Sequence, residues 1–297
     1  HRDLHSFPTR RSSDLHLSVT VGSKFMLTKD SEFEYQPSVR IFYSLSHNHG
    51  FWASVARAVR TPDDIETSAT HHPLVFPTAS GDPPRALEFR GNKDLLSEEV
   101  IAYEAGYRYH IRDDFLFDLS LFYNEYDNLR TFESGQPETS DGYTAIPVNI
   151  MNMMEGQSYG AEIAVNWRVT QWWKLEGAYS YLKMQLNVDD ASTDTRSESA
   201  VDEVPAHTVS LRSHFELRDD LDLDVWGRYV HEVAAHDLDH SFALDMQIVW
   251  RLKNGIEFSL VGQNLLDSQS PEWGIDRDNH FISEVERSVY MKMTVNF

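Results

Sequence analysis

The chain has 297 residues, no cysteine, 26 basic and 47 acidic residues, and a formal net charge of −21 at pH 7. The lack of cysteine excludes disulfides, thiolate metal sites and cysteine nucleophiles. The acidic excess argues against nucleic acid as a partner, because phosphate binding needs clustered Lys and Arg. No stretch approaches the ~18 consecutive apolar residues of a membrane-spanning helix, although alternating strands of a barrel escape that criterion. Length alone leaves the number of domains open.

Residues 1–15 fit no neighbouring pattern, because they lack alternation, the apolar core of a signal peptide and a small-residue cleavage site. The run HSFPTRRSSDL resembles one reading frame of a common sequencing adapter. We therefore expect residues 1–15 to be a non-native artefact and residues 16–297 to be the native part. On this interpretation the chain is truncated at its N-terminus, and the missing signal peptide gives no information about localisation.

From residue 16 onward the chain is a series of segments rich in β-branched and aromatic residues, each bounded by turn residues. Helical periodicity is nearly absent, so the predicted class is all-β. The twelve predicted strands are 17–27, 35–45, 51–59, 100–111, 115–128, 146–169 with a bend at Gly156, 173–186, 207–217, 221–230, 241–252, 256–266 and 288–297.

The links between these strands alternate in length. Short, hairpin-sized links with Gly, Asn or Asp are 46–50, 112–114, 170–172, 218–220 and 253–255. Long links are 61–99, 129–145, 187–206, 231–240 and 267–287. A soluble sandwich has no reason to collect its long loops at one end, whereas outer-membrane barrels combine short periplasmic turns with long extracellular loops. The alternation therefore favours an antiparallel up-and-down transmembrane β-barrel.

Within the strands, one row of alternate positions is apolar and the other is polar. In the strand 241–252 the apolar row is Phe242, Leu244, Met246, Ile248 and Trp250, and the other row contains Asp245 and Gln247. A lipid-facing outside and a wet lumen explain both rows. Water in the lumen would also accommodate Asp118, Glu162, Asp222, Asp224 and Asp245, which a packed sandwich interior would not.

Aromatic residues lie near both ends of the strands. Trp172 and Trp173 come at a short turn, and Tyr123 and Tyr126 lie towards the opposite end. We expect these two pairs to belong to the aromatic girdles at the two membrane interfaces.

The C-terminal segment alternates strictly and stops on an aromatic residue, Phe297. Taken alone, this pattern fits the last strand of a soluble sandwich as well as that of a membrane barrel. It resembles the terminal strand of bacterial outer-membrane barrels, which is read by the barrel-assembly machinery. That resemblance makes Phe297 the expected assembly signal.

Six motifs in order resemble the C-terminal half of a TonB-dependent outer-membrane receptor. They are FWASVARAVRTPDDIE at 51–66, GNKDLLSEEVIAYEAGYRY at 91–109, FDLSLFYNEYDNL at 117–129, EGQSYGAEIAVNW at 155–167, LVGQNLLD at 260–267 and VYMKMTVNF at 289–297. The resemblance covers essentially residues 17–297. It implies that this chain holds roughly the last 12 strands of a 22-stranded barrel, without the N-terminal plug domain and its TonB box.

The resemblance further implies a function and partners. The complete protein is expected to lie in the bacterial outer membrane, surrounded by its lipid, and to take up a scarce ligand such as an iron–siderophore complex. Energy would come from the TonB complex through the missing plug. No cofactor and no catalytic activity are expected. A passive porin-like channel and a soluble β-rich binding protein remain the alternatives.

Clusters that could suggest a metal or catalytic site have simpler explanations. Paired loop histidines such as His71 and His72 are typical of solvated loops, and Asp222 with Asp224 fits a wet lumen better than glycoside chemistry. Serine and histidine lie three or four residues apart on one strand, where side chains at that spacing do not meet; the residues are His207, Ser210, Ser213 and His214. The strongest metal-like cluster lies in one long link: His231, Glu232, His236, Asp237, Asp239 and His240.

Overall fold

The computed structural model describes residues 16–27, 33–78, 82–140, 142–236, 238–252, 255–273 and 283–295. Residues 1–15 and Phe297, on which two sequence-based expectations rest, lie outside the described residues. Within the described ranges, no helix is long and apolar enough to cross a membrane.

The described elements are almost all strands. There is one short helix, α1 (Asp64–Ser68), and there are two 3-10 turns, Ser197–Glu203 and Ala234–His236. The strands are β1 (Leu17–Met26), β2 (Glu34–Ser46), β3 (His49–Arg60), β4 (Thr70–Phe76), β5 (Arg85–Arg90), β6 (Glu98–Ile111), β7 (Phe115–Ser134), β8 (Glu138–Ser140), β9 (Tyr143–Thr170), β10 (Trp173–Val188), β11 (His207–Arg218), β12 (Leu221–Val230), β13 (Ser241–Arg251), β14 (Ile256–Gln263), β15 (Gln269–Trp273), β16 (Ser283–Glu286) and β17 (Ser288–Val295).

Twelve of these strands form one antiparallel sheet, called the wall below. Its order is β1-β2-β3-β6-β7-β9-β10-β11-β12-β13-β14-β17, which follows the chain. Each strand of the wall corresponds to one predicted strand, so the up-and-down fold is confirmed. In the described residues no ladder joins β1 to β17, and the sheet is open at these two edges. This is the arrangement expected of part of a larger barrel.

Two strands of the wall are longer than predicted. β7 continues to Ser134, and β9 runs unbroken through Gly156 from Tyr143 to Thr170. Close to Gly156 the register shifts on either side of Leu129, with an extra residue first on β7, where Asn128 has a φ of 55°, and then on β9 between Met151 and Met154. Both strands of the pair therefore bulge next to the position of the predicted bend.

The long links were predicted as loops, and three of them contain further strands. β8 lies within the link 129–145 and pairs with the start of β9. β4 and β5 form a hairpin within the link 61–99, and β5 pairs in parallel with the start of β9, from Arg85 opposite Thr144 to Arg90 opposite Asn149. β15 and β16 form a second hairpin within the last long link. A pairing between distant segments depends on how the chain folds back, which local periodicity does not show.

The two faces of the wall differ as predicted. On the outward row of β17, Val289, Met291 and Met293 are 59 to 70% exposed. The opposite face, called the lumen face, carries ion pairs between neighbouring strands: Arg108–Asp118, Arg212–Asp224, Arg228–Asp245 and Arg251–Asp222. Water was expected to accommodate these carboxylates. The structure adds an arginine to four of the five, because cross-strand neighbours on one face lie within reach of long side chains.

Aromatic side chains form a row near each end of the wall. At the short-link edge, Trp173 stacks on Phe215 with ring centres 5.8 Å apart. Towards the long-link edge, Tyr103 and Tyr123 lie 6.2 Å apart on the outward face. Tyr126 was expected in the same girdle, and that expectation is wrong. An odd and an even position of one strand point to opposite faces, and the Tyr126 hydroxyl lies 3.1 Å from Ser158 Oγ on the lumen face.

Two aromatic rings of the lumen face lie flat over glycines of the neighbouring strand. A Cβ at Gly106 would come within 2.2 Å of Trp52 Nε1. A Cβ at Gly160 would meet Phe122 Cζ at 2.5 Å and the Tyr181 carbonyl oxygen at 2.0 Å. These glycines are therefore required by close approach of a ring and of the backbone.

Candidate functional site

The largest group of buried apolar side chains lies beyond the wall, at its long-link edge. Ala86, Leu95, Ala145, Val148 and Ile150 are each less than 9% exposed. They belong to a structured region, called the crown below, that consists of residues 61–78, 82–97, 128–140, 142–153 and 187–206. Loops that lie at the mouth of a barrel on a rigid scaffold are the expected place for ligand contacts, so the crown is the candidate site.

The crown is built on the parts of β7 and β9 that extend past the wall. β5 pairs with one edge of β9 there, at the level where β10 has ended. Beyond β5, Asn92 Nδ2 donates to the Ile150 carbonyl at 3.1 Å, and the Leu96 N–H donates to Asn152 Oδ1 at 2.7 Å. Segment 61–97 is thus attached along the β7–β9 ribbon by both ladder and side-chain hydrogen bonds.

Helix α1 begins at a capping box. Asp63 Oδ1 accepts the N–H groups of Ile65 and Glu66, and Glu66 Oε2 accepts the Asp63 N–H at 3.0 Å. The reciprocal bonds satisfy N–H groups that the first turn leaves without partners. They also fix the Glu66 side chain, which is 7% exposed.

Glu66 belongs to a four-residue ionic cluster that joins α1 to three strands of the wall. Arg60 reaches Glu66 Oε2 at 3.1 Å and Glu98 Oε2 at 2.5 Å. Arg130 contacts Glu66 through Nη1 and Glu98 Oε1 through Nε at 3.1 Å. Two arginines and two glutamates therefore alternate around a closed ring, and every charge faces opposite charges on both sides.

The ring keeps both carboxyl groups ionised. Burial opposes ionisation of Glu66, but the hydrogen bonds from Arg60 and from the Asp63 N–H, with the charges of both arginines, outweigh it and lower its pKa. Burial is also the largest influence on Glu98, and the bonds from Arg60 and the Arg130 N–H again leave its pKa below the ordinary value.

A second cluster fastens the β4–β5 hairpin to β9. Glu88 Oε1 accepts from Arg90 Nε at 2.6 Å, and Glu88 Oε2 lies 2.8 Å from His72 Nε2 and accepts from the Tyr143 hydroxyl at 3.1 Å. Arg90 also forms two hydrogen bonds with Glu138. The Arg90 hydrogen bond lowers the pKa of Glu88 and outweighs its burial. His72, predicted to be a solvated loop residue, therefore has a structural partner.

Segment 187–206 attaches to the other edge of the ribbon. Asp194, which is 8% exposed, accepts the N–H of Phe132 at 2.8 Å and those of Arg196 and Ser197. Burial opposes its ionisation, but the Ser197 hydroxyl and these N–H groups lower its pKa. Glu133 accepts the Thr193 N–H at 2.5 Å. The Ser134 N–H donates to Thr193 Oγ1 at 2.9 Å, so the side chains of Asp194 and Thr193 accept the β7 N–H groups that a neighbouring strand would otherwise pair.

Among the described residues, those considered for metal binding or catalysis are not brought together. Within the described residues no group of three or more His, Asp or Glu has the geometry to hold a metal ion. His231 lies against His207, with ring centres 5.4 Å apart. Asp237 and the His236 side chain are outside the described part. Ser210 Oγ accepts from Trp226 Nε1, and His214 Nδ1 lies 3.2 Å from Asp224, so no serine–histidine pair forms among them.

Two clefts lie near the crown. One, of about 410 Å³, is lined mainly by outward carboxylates and amides, including Glu99, Glu125 and Glu155. The other, of about 480 Å³, lies between the return of segment 61–97 and β9 and combines Lys93 and Asn149 with thioethers. The second cleft has the mixed lining that suits an organic ligand better.

Sequence reasoning missed the residues that organise the crown, namely Glu66, Glu98, Arg130 and Asp194. One signal was available, because Asp63 followed three residues later by Glu66 is a capping-box pattern. No comparable signal exists for Asp194, whose partner Phe132 lies 62 residues away.

Comparison with known proteins agrees with this geometry. Residues 10–265 match the family model described as "TonB dependent receptor-like, beta-barrel". The comparison with curated proteins gives no match.

Among solved structures, a variant of the ferric enterobactin receptor of Pseudomonas aeruginosa is similar, with a TM-score of 0.70 at 17% identity over 95% of this chain and 43% of that chain. The siderophore receptor PirA of the same organism gives 0.66 at 16% identity, over 95% and 46%. The ferric-catecholate import receptor Fiu of E. coli gives 0.63 at 16%, over 88% and 35%. At these identities the likeness is one of fold, and the chain spans less than half of each structure.

Proposed function

The chain belongs to the TonB-dependent receptor family, and from this premise we propose that the complete protein takes up an iron–siderophore complex through the outer membrane with energy from TonB. Members of this family are outer-membrane β-barrel transporters rather than enzymes. The solved structures similar in fold are named as siderophore receptors, which supports this ligand class.

The observation that carries the proposal is the ordered crown at one end of a membrane wall. An apolar outward face, a polar lumen face and loops fixed over one edge are what a receptor needs to hold a ligand at the mouth of a barrel. A passive channel, the alternative, has no need of segments fastened across its entrance by two ionic clusters and a six-residue ladder.

The charge of the crown bears on the choice of chelate. Arg90 and Arg130 in the crown, and Arg60 next to it, each contact two carboxylates, so their charges are already neutralised. Most of the other charged residues in the long links are acidic. A ferric complex that is neutral or weakly charged would therefore meet less repulsion here than a highly anionic one.

The partners of the complete protein follow from the same proposal. TonB would act through a plug domain that precedes these strands, and the barrel-assembly machinery would recognise the C-terminal strand with Phe297. Because β1 and β17 are open edges, this chain alone is expected neither to close a barrel nor to transport, since unpaired backbone groups are not satisfied in lipid.

The proposal is tested with the purified full-length receptor and two ferric chelates of similar size, a hydroxamate of low charge and a triscatecholate of high negative charge. Tryptophan fluorescence should show saturable binding of the ferric form and weaker binding of the iron-free chelate. Binding of neither chelate, together with diffusion of unrelated small solutes through the protein in liposomes, would support the channel instead.

A further inference from the structure

Segment 61–97 is anchored on the lumen face at both of its ends. Arg60 ends β3 at an even position, on the same face as Ser54, whose hydroxyl donates to Glu104 of β6 at 3.0 Å. Glu98 begins β6 on the face of Glu104. Asn152 of β9 accepts the N–H of Leu96 and donates to its carbonyl, which attaches the return of the segment to β9.

The path between these anchors crosses the β7–β9 ribbon. The segment leaves β3, reaches the far edge of β9 as β5 and returns to β6, which lies on the other side of β7. It therefore passes over the ribbon on the side that faces the lumen. A segment with this path covers part of the barrel mouth, and we call its described residues, 61–78 and 82–97, the strap.

The strap is attached by two kinds of contact, backbone hydrogen bonds and side-chain ion pairs. Its middle is held by a backbone ladder to β9 and by the Glu88 cluster. Helix α1 is held to the return of the strap by two backbone hydrogen bonds, from the Asn92 N–H to the Glu66 carbonyl and from the Gly91 N–H to the Ala69 carbonyl, both 2.8 Å long. Its contacts with the wall are made by side chains, through Glu66 to Arg60 and Arg130. Both arginines are more than a third exposed, so water reaches the ring as soon as a contact opens. This makes the ionic ring the fastening that is easiest to release.

We propose that Arg60, Glu66, Glu98 and Arg130 form an ionic clasp that holds the α1 end of the strap across the barrel mouth, and that its release detaches this end from the wall while β5 stays paired with β9. The strap then pivots on β9, and the opening on the β3–β6 side widens. The consequence for ligand entry rests on the proposed function, whereas the clasp itself does not.

The test measures amide hydrogen exchange of the full-length receptor in lipid nanodiscs, with Glu66→Gln as the variant. This substitution retains the shape of the side chain and removes its charge, leaving two arginines with one carboxylate. We expect exchange in residues 64–70 to become about ten- to hundredfold faster, in line with the loss of charge-assisted hydrogen bonds. Exchange in β5 and in the wall should not change.

Asp118→Asn is the matched control, because it removes the carboxylate of an arginine pair in the wall. It should leave exchange in 64–70 as it is in the unaltered receptor. Unchanged exchange there in Glu66→Gln would overturn the clasp. An equal increase across β5 and β6 would also overturn it, because it would mean that the ring supports the whole crown.

Glu98→Gln provides a second variant in case the first is not assembled, and it should act on residues 64–70 in the same way. The unaltered receptor can also be compared at pH 7 and at about pH 4, after correction for intrinsic exchange rates. Two further carboxylates titrate on the same helix, Asp63 at its N-cap and Asp64 in its first turn. If exchange of residues 64–70 becomes faster at a higher pH than exchange of β5, the result supports the clasp. If exchange of both becomes faster at the same pH, the result contradicts it.

Discussion

The Phe132 N–H donates to the Asp194 carboxylate at 2.8 Å across 62 residues of sequence. Phe132 pairs with Ile150 of β9 on its other edge, so this bond places segment 187–206 opposite β9. Segment 61–97 is attached to the far edge of β9. Two long links are therefore attached to the β7–β9 ribbon, one at each of its edges. The ribbon holds the parts of the crown together.

Replacing Asp194 by Ala should release segment 187–206. Three backbone N–H groups and the Ser197 hydroxyl would lose their acceptor, and a buried donor without a partner costs roughly 1–3 kcal/mol. Limited proteolysis of the full-length receptor in membranes should show faster cleavage within 187–206. Asp190→Ala, at an exposed position of the same segment, is the control and should be cleaved at the unaltered rate. Equal rates for both variants would argue against the anchoring role.

Gly160→Ala should strongly reduce folded barrel. Its Cβ would lie 2.0 Å from the Tyr181 carbonyl oxygen, and backbone in a ladder does not yield as a side chain does. The expected cost is at least about 1–3 kcal/mol, as for overpacking. Gly177→Ala on the neighbouring strand is the control, because its Cβ would make only an ordinary contact of 3.7 Å with Leu211. Urea unfolding followed by heat-modifiable gel mobility measures the difference; identical midpoints would refute the close approach.

Acid should loosen the crown before the wall. The pKa values of Glu66, Glu88, Glu98 and Asp194 are lowered in the folded protein. Their contribution to stability is therefore complete above the unfolded values of about 4 and is lost as pH falls through the lower folded values. Protease sensitivity of the crown, measured between pH 7 and pH 3 with an acid-active protease, should rise below about pH 4. A flat profile would contradict these shifts.

Most of the wall could be predicted from the sequence, whereas the crown could not. Wall strands have one face in lipid and one in a polar lumen, so a two-residue period and turn residues mark each of them. The crown depends on pairing across distance: β5 pairs with β9, and Arg130 pairs with Glu66, 64 residues away. No local pattern records such contacts. Tyr126 shows the opposite error, because its aromatic character suggested a girdle although its position in the alternation placed it towards the lumen.

Deleting Phe297 from the full-length protein should lower its level in the outer membrane, since the terminal aromatic resembles the assembly signal of such barrels. Phe297→Tyr keeps an aromatic end and serves as the control. Heat-modifiable mobility of outer-membrane fractions gives the folded yield. An unchanged yield after deletion would remove the proposed role of this residue.

The proposed role as a TonB-energised siderophore receptor is best tested by uptake of ⁵⁵Fe presented as the ferric hydroxamate or triscatecholate, in cells that lack their own siderophore receptors and express the full-length protein. We expect accumulation of ⁵⁵Fe from at least one chelate in cells with intact TonB, and none in the same cells without TonB. Equal accumulation with and without TonB would rule out this role and indicate a passive channel.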